Sequence, residues 1–254
     1  MINNIFIYWH NGFNNAPNIV QECLKSWKYF NNNYNLIELN DDNLKEWINI
    51  DNIINNKIIT KTSISDIIRL CLLKEYGGIW VDATVLCVSS LDNWLHDYIN
   101  TGFFAFSFYP ENDKKLSTWF LYSEKDNYII NKWYDSMIEY IYLSNNIGLE
   151  HTPINTIDKW INDKYNNHYF WMHYLFNDLY NKDNNFKLEW NQCKIFLRDN
   201  LQFIQNFGLD KIIDDRLKNN YKTFAPMYKL TYRFDYNKCN DNSIYTFIIN
   251  NLYN

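Results

Sequence analysis

Apolar positions along this chain follow two rhythms, short unbroken runs and helical stripes, and the two alternate. Ile5-Phe6-Ile7-Tyr8-Trp9 is a continuous β-favouring run closed by Asn11-Gly12, and it predicts a buried strand. From Ala16 to Tyr29, Val20, Cys23, Leu24 and Trp27 recur at helical spacing behind an early Pro17. Tyr34 to Leu39 predicts a second strand, and Asn43 to Ile48 a short helix. Ser63-Ile64-Ser65-Asp66 has the form of a helix start, with a hydroxyl cap and an acid three residues on. The apolar helix that follows stops at Gly77-Gly78, because glycine tolerates the left-handed backbone needed there.

Ile79-Trp80-Val81 then predicts a strand, broken by Asp82-Ala83-Thr84 and resumed at Val85 to Val88. Phe103 to Phe108 reads as a further strand. Helices are expected at Lys114 to Tyr122, Tyr128 to Leu143, Pro153 to Tyr165 and Tyr169 to Tyr180. Near the end, Tyr228, Leu230, Tyr232 and Phe234 alternate with Lys229, Thr231 and Arg233, the pattern of a strand with one polar face. Strands alternating with helices predict an α/β domain. There is no linker-like stretch and no repeat. The 254 residues are expected to form a single domain, with a core over about 1–110, a helix-rich lobe over about 111–220 and a closing segment over 221–254.

Composition narrows the function classes. Formal net charge is −5, which disfavours a protein held to nucleic acid by phosphate neutralisation. Aromatic residues make up 19%, enough both to fill a core and to leave rings for stacking on sugars or bases. Asn, Ile and Lys abound while Ala and Arg number four each, the bias of an AT-rich genome. The cysteines (Cys23, Cys71, Cys87, Cys193 and Cys239) show no CxxC pair and read as reduced thiols of a cytoplasmic protein. The N-terminus lacks a basic region before a long apolar one, and no run is long enough to span a membrane. P-loop, GxGxxG, GxSxG and HExxH motifs are all missing.

Several residues could carry chemistry. Asp82 follows a buried strand at its C-terminal end, where open α/β sheets bind ligands, and Gly78 before it permits close backbone approach. Asp66 and Arg69 share a helix face and could grip sugar hydroxyls or simply pair with each other. Trp9 ends the first strand and could stack on a base or stay in the core. Lys229, Thr231 and Arg233 could hold a diphosphate or form a solvated strand face. His168 and His173 are five apart, so a helix would not bring both to one metal; His173 is either a hydrogen-bonded helix residue or a ligand contact.

Ser65-Asp66-Ile67-Ile68-Arg69-Leu70 and Gly77-Gly78-Ile79-Trp80-Val81-Asp82-Ala83-Thr84-Val85 resemble the core of glycosyltransferases with a DXD sugar-binding region. Within that group the chain is most similar to bacterial capsular polysaccharide synthesis proteins, which are related to initiating mannosyltransferases and to clostridial toxin glucosyltransferase domains. Tyr169 to Leu179 and Tyr228-Lys229-Leu230-Thr231-Tyr232 extend the likeness. The resemblance implies a GT-A-like fold, a Rossmann-type nucleotide-binding sheet with an acceptor-side lobe. It also implies transfer of a sugar, with retained configuration, from a UDP- or GDP-sugar to a glycan, capsule or lipid-linked acceptor.

By the same resemblance Trp9 lies at the base. Asp66 and Arg69 would bind the donor sugar hydroxyls, and Asp82 would reach the ribose, sugar or metal; beside these, Gly78, Thr84, Lys229 and Thr231 are read as further donor-binding candidates, with Asp82 and Asp66 as the catalytic candidates. His173 and Asp178 are candidates for the acceptor side or for no ligand contact at all. Asp82 is the implied ligand of a divalent manganese or magnesium ion. Thr84 stands where the second acid of the motif is expected, so either Asp82 and later residues hold the metal or none is needed. A catalytically inactive sugar- or nucleotide-binding protein of the same fold is the alternative. The expected location is cytoplasmic, with peripheral membrane contact if the acceptor is lipid-linked. The oligomeric state has no signature in the sequence.

Overall fold

The computed structural model describes residues 4–55, 58–107, 114–143, 146–147 and 168–253. In chain order the elements that place the site are strand β1 (Asn4–Tyr8), helix α1 (Asn18–Phe30), β2 (Asn35–Leu39), α2 (Asp51–Ile54), β3 (Ile58–Ile59), α3 (Lys61–Tyr76), β4 (Gly78–Asp82) and β5 (Val85–Cys87). They continue with β6 (Phe103–Ser107), β7 (Leu116–Ser123), α4 (Tyr128–Leu143), β8 (Asn146–Ile147), α5 (Trp171–Lys182), α6 (Asn184–Gln192), α7 (Asp199–Phe207), α8 (Asp215–Phe224), β9 (Met227–Lys229) and α9 (Ile244–Asn251).

The central sheet runs β2-β1-β4-β7-β6. β1 pairs in parallel with both β2 and β4, while β7 joins β4 and β6 antiparallel. The expected α/β class is therefore what the chain forms. Because side chains alternate across a strand, one run of apolar residues feeds two cores. Ile5, Ile7, Ile79 and Val81 face α1, whose Ile19, Val20, Cys23 and Trp27 are buried against them. Phe6, Tyr8 and Trp80 face the other way, towards α3, α4 and α5. Burial on both faces explains why these strands read as unbroken apolar runs.

Three expectations are corrected. Lys114 to Tyr122 is not helical: Leu116–Ser123 is a strand with every residue buried, set between β4 and β6. Its Thr, Trp, Phe and Tyr side chains suit a pleated surface covered on both sides, and only those neighbours select that state. α3 starts earlier than expected. Thr60 is its cap, its side chain accepting from Ser63 N at 3.2 Å, so Asp66 is not a capping acid. The late strand ends at Lys229, and Thr231 turns the chain by accepting from Arg233 N at 3.2 Å. The helix expected at Pro153 to Tyr165 lies outside the described residues.

Gly77 and Gly78 end α3 as anticipated, with φ of 66° and 104°. All five cysteines are free thiols, and Cys23, Cys71 and Cys87 are buried. Among the described residues no helix is long and apolar enough to cross a membrane.

Candidate active site at the ends of the parallel strands

The site grows from the C-terminal end of β4. Tyr8 of β1 pairs with Asp82 of β4, so Trp9 and Asp82 leave the sheet side by side. Asp82 shares a strand face with Trp80 two residues earlier, and Trp80 Nε1 donates to Asp82 Oδ1 at 3.0 Å. That face lies under α3. Arg69 of α3 is 4% exposed, with its guanidinium 5.2 Å from the centre of the Trp80 ring. A buried guanidinium needs carboxylate partners, and Arg69 has two. Its Nη1 lies 2.8 Å from Asp66 Oδ1 and its Nη2 3.1 Å from Asp82 Oδ1. The expected sharing of a helix face by Asp66 and Arg69 is thus a direct ion pair.

The opposite side comes from β5 and β9. Their antiparallel pairing sets Val85 against Lys229, and Leu230 N donates to Thr84 O at 2.8 Å. Lys229 Nζ consequently hydrogen-bonds the Thr84 hydroxyl and stands 3.4 Å from Asp82 Oδ2. Helix α5 closes a third side. Trp171, at the start of α5, donates Nε1 to Asp66 Oδ2 at 3.0 Å, while its ring stacks on Tyr140 of α4.

The two acids respond differently to this setting. Burial drives the Asp66 carboxyl up to about 6, against the pull of Arg69, and the Asp82 charge adds to the rise. Burial would also raise Asp82, but Arg69, Lys229 and the Trp80 hydrogen bond outweigh it and hold that carboxyl below its ordinary value. His173 is buried on α5. Burial first, then the charges of Arg69, Lys114 and Arg198, push its imidazole down to about 3, so it is neutral at physiological pH. Partial burial, then the charges of Asp82 and Asp66, raise the Tyr169 phenol.

Asp66, Arg69, Asp82, Thr84 and Lys229 are therefore one contiguous cluster, and His173 lies within electrostatic reach of it. Trp9 is half-buried at the same sheet edge, with its ring edge-on to Tyr232 at 5.3 Å. Gly78 does not belong to the cluster. It opens β4 at the end opposite Asp82, where its backbone makes the turn out of α3. Thr231 leaves the expected polar face because β9 has already ended, and its hydroxyl accepts from the backbone. Asp178, in the last turns of α5, pairs with Lys182 at 3.0 Å.

Sequence reasoning quoted Trp80 and Trp171 within its motifs but gave them no role, and missed Lys114 and Arg198. Trp80 was recoverable, since it lies two residues before Asp82 on the same strand face. Trp171 lay inside the Tyr169 to Leu179 stretch that extends the likeness, but nothing local tied it to Asp66, and Arg198 is far away in the chain and gave no local signal.

The donor set does not suit a divalent cation. Asp66 and Asp82 each have both carboxylate oxygens engaged by cationic or N–H groups, and the Thr84 hydroxyl takes Lys229. Among the described residues no group of three or more His, Cys, Asp or Glu side chains could hold a metal.

This constellation sits in a chain whose relatives can be named. The chain belongs to the capsular polysaccharide synthesis protein family. It matches that family over residues 1–248. No curated protein matches it. Among solved structures it is similar to one titled PaToxG Glycosyltransferase, with a TM-score of 0.42 and 15% identity over 71% of this chain and 68% of that one. The family match spans all the clustered residues, from Asp66 to Lys229.

Proposed function

We propose that this capsular polysaccharide synthesis protein is a glycosyltransferase that takes a sugar from a UDP- or GDP-sugar and delivers it, with retained configuration, to a glycan or lipid-linked acceptor hydroxyl. The observation that carries this reading is the Asp66–Arg69–Asp82–Lys229 cluster at the C-terminal ends of β1 and β4. Open α/β sheets bind ligands at that edge. Acids there can accept from sugar or ribose hydroxyls, and cations beside them can face a diphosphate.

In the reaction the anomeric C–O bond to the diphosphate breaks and its electron pair leaves with the phosphate. The acceptor hydroxyl oxygen forms the new bond to the anomeric carbon and gives up its proton to the leaving phosphate oxygen. Arg69 and Lys229 stabilise the charge that develops, which is the main electrostatic demand of such a step. Asp82 and Asp66 hold those cations in place and orient hydroxyls. Trp9 and Tyr232 offer ring surface for the base, and neutral His173 and the α5 side face the acceptor. Work in the cytoplasm, at the membrane surface when the acceptor is lipid-linked, fits this chemistry.

The test is a melting-temperature screen of UDP- and GDP-sugars followed by turnover, on wild type and Asp82→Asn. The expected outcome is one donor that raises the wild-type melting temperature, with turnover cut about a hundredfold in the variant. A product whose anomeric configuration is inverted would overturn the retaining assignment. Failure of every donor to bind or turn over would overturn the transferase reading.

A further inference from the structure

The position where a second acid is expected carries Thr84, and the structure shows what faces it. Lys229 Nζ donates to the Thr84 hydroxyl and stands 3.4 Å from Asp82 Oδ2. This is a built contact, because the β5–β9 pairing and the Leu230 N to Thr84 O bond fix both backbones. The remaining oxygen of Asp82 accepts from Arg69 Nη2 at 3.1 Å and Trp80 Nε1 at 3.0 Å. Asp66 is closed in the same way, by Arg69 and Trp171.

A divalent cation arriving here would have to displace Lys229, would meet its repulsion, and among the described residues would then find Asp82 as its one freed carboxylate beside the donor's own phosphates. An ammonium has three N–H donors. Thr84 and Asp82 engage two, and the Lys229 side chain remains 18% exposed, which leaves the third for a ligand.

We infer that the Lys229 ammonium, with Arg69 beside it, supplies the positive charge for a nucleoside diphosphate, so that this protein binds its donor without a divalent metal. The inference rests on the donor reading above and concerns the cofactor requirement of the same site. Its logic is charge replacement. A phosphate-binding centre needs cations that are held in place before the ligand arrives, and here side chains on α3 and β9 are so held. Thr84 then has a positive role: its hydroxyl accepts from Lys229 without adding the second negative charge that would draw a metal.

The experiment is calorimetric titration of UDP and of GDP into the full chain, once with EDTA and once with manganese chloride. Wild type, Lys229→Met and Lys229→Arg are compared, each with its melting curve. Wild-type affinity is expected to agree within about twofold between the two buffers. Lys229→Met should weaken binding in EDTA by about tenfold, as for loss of one charge-assisted contact, and Lys229→Arg should restore most of it. Manganese tightening wild-type binding by about tenfold or more would overturn the inference while leaving the donor reading intact. Unchanged binding by a folded Lys229→Met in EDTA would do the same. Should Lys229→Met fail to fold, the wild-type comparison still decides. Absence of UDP and GDP binding in both buffers would overturn the donor reading and this inference with it.

Discussion

At the scale of single residues, Asp66 and Asp82 share one arginine yet titrate in opposite directions. Asp66 is raised from 3.8 to about 6, chiefly by burial, whereas Asp82 is lowered because Arg69 first, and then Lys229 as a second cation, outweigh its burial. Between its unfolded and folded values Asp66 binds more proton in the native state. Its contribution to stability is therefore present at low pH and declines as pH rises through that window. Asp82 works the other way: its contribution is present at neutral pH and is lost as pH falls through its folded value. Carboxyl carbon NMR should show an inflection for Asp66 near 6 and one for Asp82 below the ordinary carboxylate range. Arg69→Met should move both upward. An Asp66 inflection near 4 that ignores Arg69→Met would contradict the assigned cause. His173, pushed down to about 3, should show no imidazole titration between about pH 5 and 8.

Elements show where local sequence patterns are ambiguous. The sequence pattern puts the start of α3 at Ser63, and the structure caps it instead at Thr60, whose side chain accepts from Ser63 N. The choice matters to the site, since an Asp66 committed to a cap could not face Arg69. Thr60→Ala should cost about 1 kcal/mol in urea unfolding and leave nucleotide affinity within twofold, because the cap acts on the helix start alone. A loss of affinity much larger than the loss of stability would mean that the cap sets the position of Asp66 and Arg69. β7 makes the complementary point. Its residues are buried on both faces, so no polar stripe remains to reveal the period, and helix and strand read alike.

At the scale of the whole molecule, α3, α4 and α5 meet at Trp171. Its indole N–H reaches Asp66 at 3.0 Å, and its ring stacks on Tyr140 with centroids 5.1 Å apart. Trp171→Phe keeps most of the apolar contact and removes the donor. It should raise the Asp66 carboxyl further and lower stability by about 1–3 kcal/mol, read from carboxyl titration and denaturant melts. An unchanged Asp66 titration would show that α5 does not tune the site.

The local order of α/β elements, the stop at Gly77-Gly78, the ion pair of Asp66 with Arg69 and the placing of Asp82 at a strand end were all legible in the chain. Each depends on residues close in sequence, where periodicity and i,i+3 spacing act directly. Antiparallel β7 in the sheet, the early end of β9, the departure of Gly78 from the site and the contacts of Asp66 with Trp171 and of Thr84 with Lys229 were decided only by the tertiary structure. Those pairings join residues far apart along the chain, and their energies come from burial and desolvation, which exist only once the two cores have closed around the sheet.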